Sequence, residues 1–146
     1  MMIKNFKNIL LIKKINFKKY ENKDVVLYDN CFSKIFEKII SKENFIILFT
    51  RYEYLNLRII IKLLFTLRLN SLNYFLEIIK EINPKIVVTF TDNDEKFWLL
   101  KKKIKNPKIK FIMIQNGWRI NIFENINVLS KDYSLDDMFF FNKNIS

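Results

Sequence analysis

Residues 85–92 read KIVVTFTD, an apolar run with β-branched side chains that begins directly after Pro84 and ends on an aspartate. A short run of this kind, bounded by a proline and by polar residues, is typical of a strand buried on both faces of a sheet. Such strands belong to parallel sheets that helices cover on both sides. The stretch therefore predicts an α/β protein.

Strand-like and helical segments alternate on both sides of this run. Four further strands are predicted from short apolar runs, at 25–29, 45–51, 110–115 and 137–142. The segment FKNILLIKK at 6–14 predicts one more. Four helices are predicted from apolar residues at helical spacing, over 33–40, 57–68, 71–82 and 94–103, with Ser33 and Ser71 as expected starts. The alternation indicates an open, mainly parallel Rossmann-like sheet with flanking helices.

The length and the end of the chain bear on its domain organisation. With 146 residues, half of them hydrophobic, the chain can form one domain with its own core. We expect a single Rossmann-like domain over 1–146. The strand at 137–142 is followed by only a few polar residues, whereas a parallel strand normally leads into another element. We therefore expect the N-terminal half of a longer, two-domain protein.

The net charge of +11 raises the question of a polyanionic partner. Only four of the 26 cations are arginines, and the lysines are scattered along the chain, whereas nucleic-acid readers favour arginine. We expect a solvated surface and no nucleic-acid partner. The alternative is a non-catalytic domain that contacts a protein partner or an anionic membrane surface through lysine-rich helices. The lysines concerned are Lys96, Lys101, Lys102, Lys103 and Lys105.

Several site classes are excluded by residues that the chain lacks. It has no histidine and one cysteine, Cys31, so neither an internal disulfide nor a Cys/His zinc site can form. A histidine-dependent hydrolase is excluded within this chain. The single glycine, Gly117, leaves no glycine-rich phosphate loop. The cysteine usage and the lack of a long apolar segment predict a cytoplasmic protein, with peripheral contact at the inner face of the membrane.

Polar residues follow each predicted strand, where open α/β sheets bind their ligands. Asp29 and Arg51 follow the first two strands, residues 91–94 (TDND) follow the strand after Pro84, and residues 115–119 (QNGWR) follow the next. For Asp29 and its neighbours the alternative is a loop that simply faces water. In the last cluster Asn116-Gly117 favours a sharp reversal with positive φ, either a plain turn or a close backbone approach to a ligand.

The carboxylates of Asp92 and Asp94 flank Asn93, which leaves two further interpretations of TDND. Asp92 or Asn93 can cap the helix that follows. The D-x-D spacing also resembles the site by which one class of glycosyltransferases binds a divalent metal and a nucleotide diphosphate. We rank this metal site third and predict no metal in the chain.

The segment from Tyr74 to Arg119 resembles the N-terminal half of surface-carbohydrate biosynthesis proteins, which are glycosyltransferase-like and linked to O-antigen or capsule assembly. The resemblance lies in PKIVVTFTDN (84–93) and KFIMIQNGWR (110–119). It implies the N-terminal domain of a GT-B-like fold, which presents a carbohydrate or lipid-linked saccharide acceptor. The nucleotide-sugar donor is then expected mainly on a second domain or subunit, with no cofactor held by this chain.

The resemblance and the strand-end positions together assign roles to individual residues. Asp92 is the candidate catalytic residue, either as the base or as a carboxylate that orients the acceptor, because the chain has no histidine. The other residues are expected to hold sugar hydroxyls or a phosphate. They are Asp29, Arg51, Asn93, Gln115, Asn116, Gly117 and Arg119. Catalysis by this polypeptide alone is not predicted, because the resemblance covers one of two domains.

Overall fold

The computed structural model of the chain describes residues 14–51, 53–91, 94–115 and 135–139. Within these ranges the strands are β1 Lys14–Asn16, β2 Val25–Tyr28, β3 Phe45–Leu48, β4 Tyr54–Asn56, β5 Ile86–Thr89, β6 Lys110–Ile114 and β7 Asp137–Phe139. The helices are α1 Ser33–Ile39, α2 Leu57–Phe65, α3 Ser71–Ile82 and α4 Glu95–Lys103. Apart from β1 and β4, the elements follow the predicted order, and the α/β class is confirmed.

Five of the strands form one sheet in the order β3-β2-β5-β6-β7, and every neighbouring pair is parallel. In β2, which lies between β3 and β5, Val25 lies opposite Phe45 on one side and Ile86 on the other. If these five strands are numbered 1 to 5 in the order in which they occur along the chain, their order across the sheet is 2-1-3-4-5. This is the order of flavodoxin-like doubly wound sheets. The predicted open parallel sheet is therefore confirmed.

The helices divide between the two faces of this sheet. On one face Phe36 of α1 packs in a cluster with Leu27 and Val88. On the other face α2, α3 and α4 share a larger cluster with Tyr28 and Phe111. The connections β2–β3 and β3–β5 step across the sheet in opposite directions, and right-handed crossovers then place their helices on opposite faces. No described helix combines the length and the apolar character needed to cross a bilayer.

A second, two-stranded parallel sheet joins β1 to β4, with Asn16 opposite Asn56. The sequence pattern did not predict β4, because three residues are too few to show an alternation. Only residues 49–53 separate β3 from β4, and parallel neighbours need a crossover of a dozen or more residues. Hence β4 cannot extend the main sheet beyond β3. The strand predicted at 6–14 lies outside the described residues except for Lys14, where β1 begins.

Helices α1 and α3 begin at Ser33 and Ser71, as predicted, but the residue at the cap position lies one residue earlier in each. Asn70, and not Ser71, caps α3, because its side chain accepts a hydrogen bond from the Asn73 backbone amide at 2.8 Å. Ser33 is the first residue of α1 and does not act as its N-cap. The residue before α1 is Phe32, which has left-handed backbone with φ of 59° and makes no side-chain cap. Asparagine and serine cap helices about equally well, so the residue type alone does not select between Asn70 and Ser71.

Asn56 caps α2 and also ties that helix to the small sheet. Its Oδ1 accepts from the backbone amides of Arg58 (3.1 Å) and Ile59 (3.4 Å), and its Nδ2 donates to the Lys18 carbonyl at 2.7 Å. The residue is only 1% exposed, so water cannot replace these bonds.

Replacing Asn56 by alanine should therefore lower the free energy of unfolding by about 2–4 kcal/mol, which adds the loss of a cap to the loss of the partly buried hydrogen bond to the Lys18 carbonyl. Asn70→Ala is the matched control, because Asn70 caps α3 on the exposed surface and should cost about 1 kcal/mol. Urea unfolding followed by circular dichroism measures both. Equal losses would show that the buried bonds of Asn56 contribute nothing beyond the cap.

Candidate functional site

The candidate site lies at the carboxyl edge of the main sheet, between β2 and β5. From β2 the chain crosses to β3 on one side, whereas from β5 it crosses to β6 on the other. This is the topological switch point of the sheet, where the loops diverge and leave a crevice that ligands use in doubly wound folds. Asp29 follows β2 and Thr91 lies just beyond β5, so both stand at this crevice.

The carboxylate of Asp29 is held from two sides. Its Oδ1 accepts from the Asn30 backbone amide at 2.6 Å, and its Oδ2 accepts from the Thr91 hydroxyl at 3.1 Å. The Asp29 amide in turn donates to the Leu48 carbonyl at 2.9 Å, which ties it to β3. The residue is 8% exposed and has a φ of 86°, an uncommon conformation for a residue other than glycine. Backbone held in such a conformation by several bonds is a feature of functional sites.

Thr89 connects the ends of β2 and β5 beneath this carboxylate. Its hydroxyl donates to the Tyr28 carbonyl at 3.0 Å and accepts from the Thr91 amide at 3.0 Å. The side chain is fully buried, so these bonds hold Thr91 in reach of Asp29. Sequence reasoning did not single out Thr89. The available signal was a hydroxyl inside an otherwise apolar strand.

Two aromatic rings border the same loops. Phe32 follows Asp29 by three residues, Phe90 lies between the two threonines, and their ring centroids are 5.3 Å apart. Phe32 is 41% exposed, so part of its ring is available to a ligand. Its left-handed backbone gives the segment from Asp29 to Phe32 two positive φ values. The crevice therefore combines a carboxylate with an exposed aromatic surface.

Arg51 and Gln115 stand on the two sides of this pair. Arg51 is exposed and follows β3, the neighbour of β2, while Gln115 follows β6, the neighbour of β5. Gln115 is 4% exposed, and its backbone amide donates to the Phe139 carbonyl at 2.9 Å. The structure thus brings Asp29 and Thr91 into contact and places the other two described candidates at adjacent strand ends.

Five predicted site residues lie outside the described residues, so their roles stay predictions. They are Asp92, Asn93, Asn116, Gly117 and Arg119. Asp94 is described and caps α4, because its Oδ1 accepts from the Lys96 amide at 2.9 Å. The expected cap at Asp92 or Asn93 is therefore replaced by Asp94. Among the described residues no group of three or more acidic, cysteine or histidine side chains is placed to hold a metal ion.

The lysine-rich helix α4 is partly engaged in the fold. The Lys101 ammonium pairs with Asp136 at 2.6 Å and lies 5.6 Å from the centre of the Phe111 ring. Partial burial raises the pKa of Asp136, but the bonds from Lys101 and from the Phe111 amide outweigh it and hold the pKa below its ordinary value. Lys101 is thus a structural residue. Lys102, Lys103 and Lys105 are exposed.

Comparison with protein-family models, with curated proteins and with solved structures finds no match to this chain. The resemblance to surface-carbohydrate biosynthesis proteins therefore remains a prediction made from a few motifs. A functional proposal must rest on the switch-point crevice and on the surfaces of the described residues.

Proposed function

We propose that this chain is the acceptor-side domain of a glycosyltransferase-like protein in surface polysaccharide biosynthesis, and that Asp29 binds a hydroxyl of the saccharide acceptor. One observation carries the proposal: a carboxylate on strained backbone at the switch point, oriented by Thr91 and by the Asn30 amide. The proposed fold is the N-terminal domain of a GT-B-like protein.

The chemistry of the carboxylate suits a sugar hydroxyl. An ionised carboxylate offers about four lone-pair directions, and only two hydrogen bonds to the Asp29 oxygens are made within the described residues. The remaining directions can accept O–H groups in charge-assisted bonds, which are stronger than neutral ones. The exposed part of the Phe32 ring adds an apolar surface for a sugar face. Together they support recognition of a polyhydroxylated ligand.

The transfer step follows from the roles proposed for the neighbouring residues. The acceptor oxygen forms a bond to the anomeric carbon of the donor sugar as the bond from that carbon to the nucleoside diphosphate breaks. The proton of the acceptor hydroxyl passes to the carboxylate of Asp92, the residue that follows Thr91 in the sequence. Arg119 is proposed to pair with a phosphate, with the donor held mainly by a second domain or subunit.

The proposal is tested by expressing the chain alone and together with any coding sequence that follows it, and by assaying sugar transfer from nucleotide sugars to lipid-linked saccharides. We expect transfer by the longer form and binding of acceptor without transfer by the chain alone. A longer form that neither transfers sugar nor binds acceptor would contradict the proposal.

A second candidate function is docking on an anionic membrane surface by a non-catalytic domain, and the surface of α2 favours it. Phe65 at the end of this helix is 86% exposed, and Leu67 just beyond it is 95% exposed. Leu67 also ends the helix with a φ of 52°, a position that glycine usually takes. Large apolar side chains that project into solvent from such a position indicate contact with an apolar medium.

The cation Arg68 lies beside this apolar surface. From Tyr54 to Leu76 the sequence contains Arg58, Lys62 and Arg68 but no acidic residue. Arg58 and Lys62 pair with Glu81 and Glu77 of α3, whereas Arg68 lies exposed between Leu67 and Leu69. An exposed apolar surface beside a cation is typical of segments that lie on anionic lipid. This combination favours the end of α2, and not the lysines of α4, as the part of the protein that contacts the membrane.

The double variant Phe65→Ser/Leu67→Ser should lower the partition coefficient onto phosphatidylglycerol-containing vesicles roughly tenfold or more, because two large apolar groups no longer enter the interface. Ile39→Ser is the matched control, since Ile39 is 75% exposed on α1, on the opposite face of the main sheet. Co-sedimentation at rising salt measures the partition. Equal binding by both variants, or equal binding to phosphatidylcholine alone, would exclude this function.

A further inference from the structure

The small sheet and the main sheet leave a gap where they meet. Strand β4 follows β3 in the chain but does not pair with it, so no ladder of backbone hydrogen bonds draws the two sheets together. The gap is a pocket of about 150 Å³, lined by the second half of β3, by α3 and by the small sheet. It lies beside β3, an edge strand, whereas the switch-point crevice lies between β2 and β5. The pocket is therefore a separate place in the fold.

The inner wall of this pocket belongs to the hydrophobic core. Its residues are no more than 5% exposed, and they are Leu48, Tyr74, Phe75 and Ile78. The rings of Tyr74 and Phe75 meet edge to face with their centroids 5.4 Å apart, and Phe75 meets the ring of Tyr28 in the same way at 5.5 Å. A ligand therefore contacts a wall that is already in place, and its binding carries no cost of ordering these side chains.

The outer wall is a second pair of aromatic rings. Phe49, directly after β3, and Tyr54 of β4 lie with their ring centroids 4.2 Å apart and their planes tilted by 32°. Tyr54 is 38% exposed, which places it at the mouth of the pocket. Contacts between aromatic rings add to affinity beyond the area that they bury. Aromatic rings on two sides therefore favour an aromatic ligand.

The hydroxyl groups of two lining tyrosines already have partners within the protein. The Tyr74 hydroxyl accepts from the Asn56 amide at 2.8 Å, and the Tyr20 hydroxyl bonds to the side chains of Asn56 and Tyr74. Burial raises the pKa of the Tyr20 hydroxyl, so this group stays neutral. Among the described residues no charged side chain lines the pocket. A ligand therefore needs neither a charge nor a polar group to satisfy these hydroxyls.

The volume of the pocket sets the size of the ligand. A cavity of about 150 Å³ with an apolar lining takes up one benzene ring. A hexose is larger than benzene, and the hydroxyls around its ring would lose their bonds to water without gaining partners from this lining. The volume also leaves no room for the backbone of a peptide, which favours a small molecule over an aromatic side chain of a partner protein.

We propose that this pocket is a binding site for a small molecule with one aromatic ring of the size of benzene. The ring enters past Tyr54 and lies between the Phe49–Tyr54 pair and the wall that Phe75 forms on α3. The site goes beyond the proposed function and does not rest on it, because neither the pocket nor Tyr54 has a role in sugar transfer.

The test is an NMR titration of the full chain with benzene, followed at the methyl groups of isoleucine and leucine. We expect saturable shifts at Leu48 and Ile78, which line the pocket. Tyr54→Leu removes an aromatic contact and should weaken the binding about two- to tenfold. Tyr54→Phe is the matched control, because it keeps the ring and should bind benzene as the unaltered protein does. Both variants are expected to fold, since Tyr54 is partly exposed.

Four results would each overturn the proposal. Benzene could cause no saturable shift, or shift Leu67 of the exposed α2 surface and not Leu48. It could bind equally well to Tyr54→Leu and Tyr54→Phe, or no more tightly than methyl glucopyranoside. Tighter binding of N-acetylphenylalanine amide than of benzene would also overturn it, and would assign the pocket to an aromatic side chain of a partner protein.

Discussion

Replacing Asp29 by asparagine is expected to lower sugar transfer by the longer form about 10- to 100-fold, with little change in the free energy of unfolding. The loss corresponds to one hydrogen bond to a charged group. Asparagine tolerates positive φ as well as aspartate does, so the backbone can keep its φ of 86°. Its Oδ1 can accept from the Asn30 amide, and its Nδ2 can donate to the Thr91 hydroxyl, which then acts as acceptor.

The variant therefore removes the negative charge of Asp29 while it keeps the backbone conformation and the hydrogen bonds of this residue. The kcat/KM for the acceptor is the quantity to measure, together with urea unfolding. Asp24→Asn is the matched control, because Asp24 precedes the same strand at the opposite edge of the sheet and pairs on the surface with Lys85 at 3.0 Å. A value of kcat/KM for Asp29→Asn equal to that of Asp24→Asn would remove Asp29 from the site.

The largest expected effect on stability is that of Phe97→Ala. Phe97 of α4 is fully buried, and its ring lies 5.3 Å from that of Tyr28 and 5.4 Å from that of Phe111. Removing it leaves a cavity where the helix contacts β2 and β6, the two strands on either side of β5, at a cost of about 3–5 kcal/mol. Domains are stable by about 5–15 kcal/mol, so the variant should lose a large part of its stability.

The urea midpoint of unfolding measures this loss, and Phe65→Ala provides the comparison. Both substitutions remove the same side chain, but Phe65 is 86% exposed at the end of α2, so its loss should change stability by no more than about 0.5 kcal/mol. Similar midpoints for the two variants would mean that the α4 side of the sheet is not packed as the structure shows.

The element types were predictable because their signals are local. The apolar runs at β2, β3, β5 and β6 and the helical spacing in α2 and α3 each depend on neighbours a few residues away. The capping residues were harder to predict, since Asn70 and Ser71 both suit a cap and only the geometry of the first turn selects between them. The strand β4 carries too short a pattern to be recognised.

The site was predictable only in part, and for a physical reason. The polar residues at strand ends could be named from the sequence, because the end of an apolar run is visible there. Their partners could not, since Asp29 and Thr91 are separated by 62 residues and meet only because β2 and β5 pair. Thr89 carried only a slight local signal, a hydroxyl inside an apolar strand, because its hydrogen-bond partner Tyr28 lies 61 residues away in the sequence.

The amino-acid order alone was enough to establish an α/β chain with parallel strands, a core of β-branched and aromatic residues, and no histidine or zinc chemistry. Folding in three dimensions added the strand order 2-1-3-4-5, the contact of Asp29 with Thr91, and the pocket beside β3. Hydrophobic periodicity acts over a few residues, whereas strand pairing joins distant segments through backbone hydrogen bonds that carry no residue code. For that reason the position of the crevice could be assigned only once the order of the strands in the sheet was known.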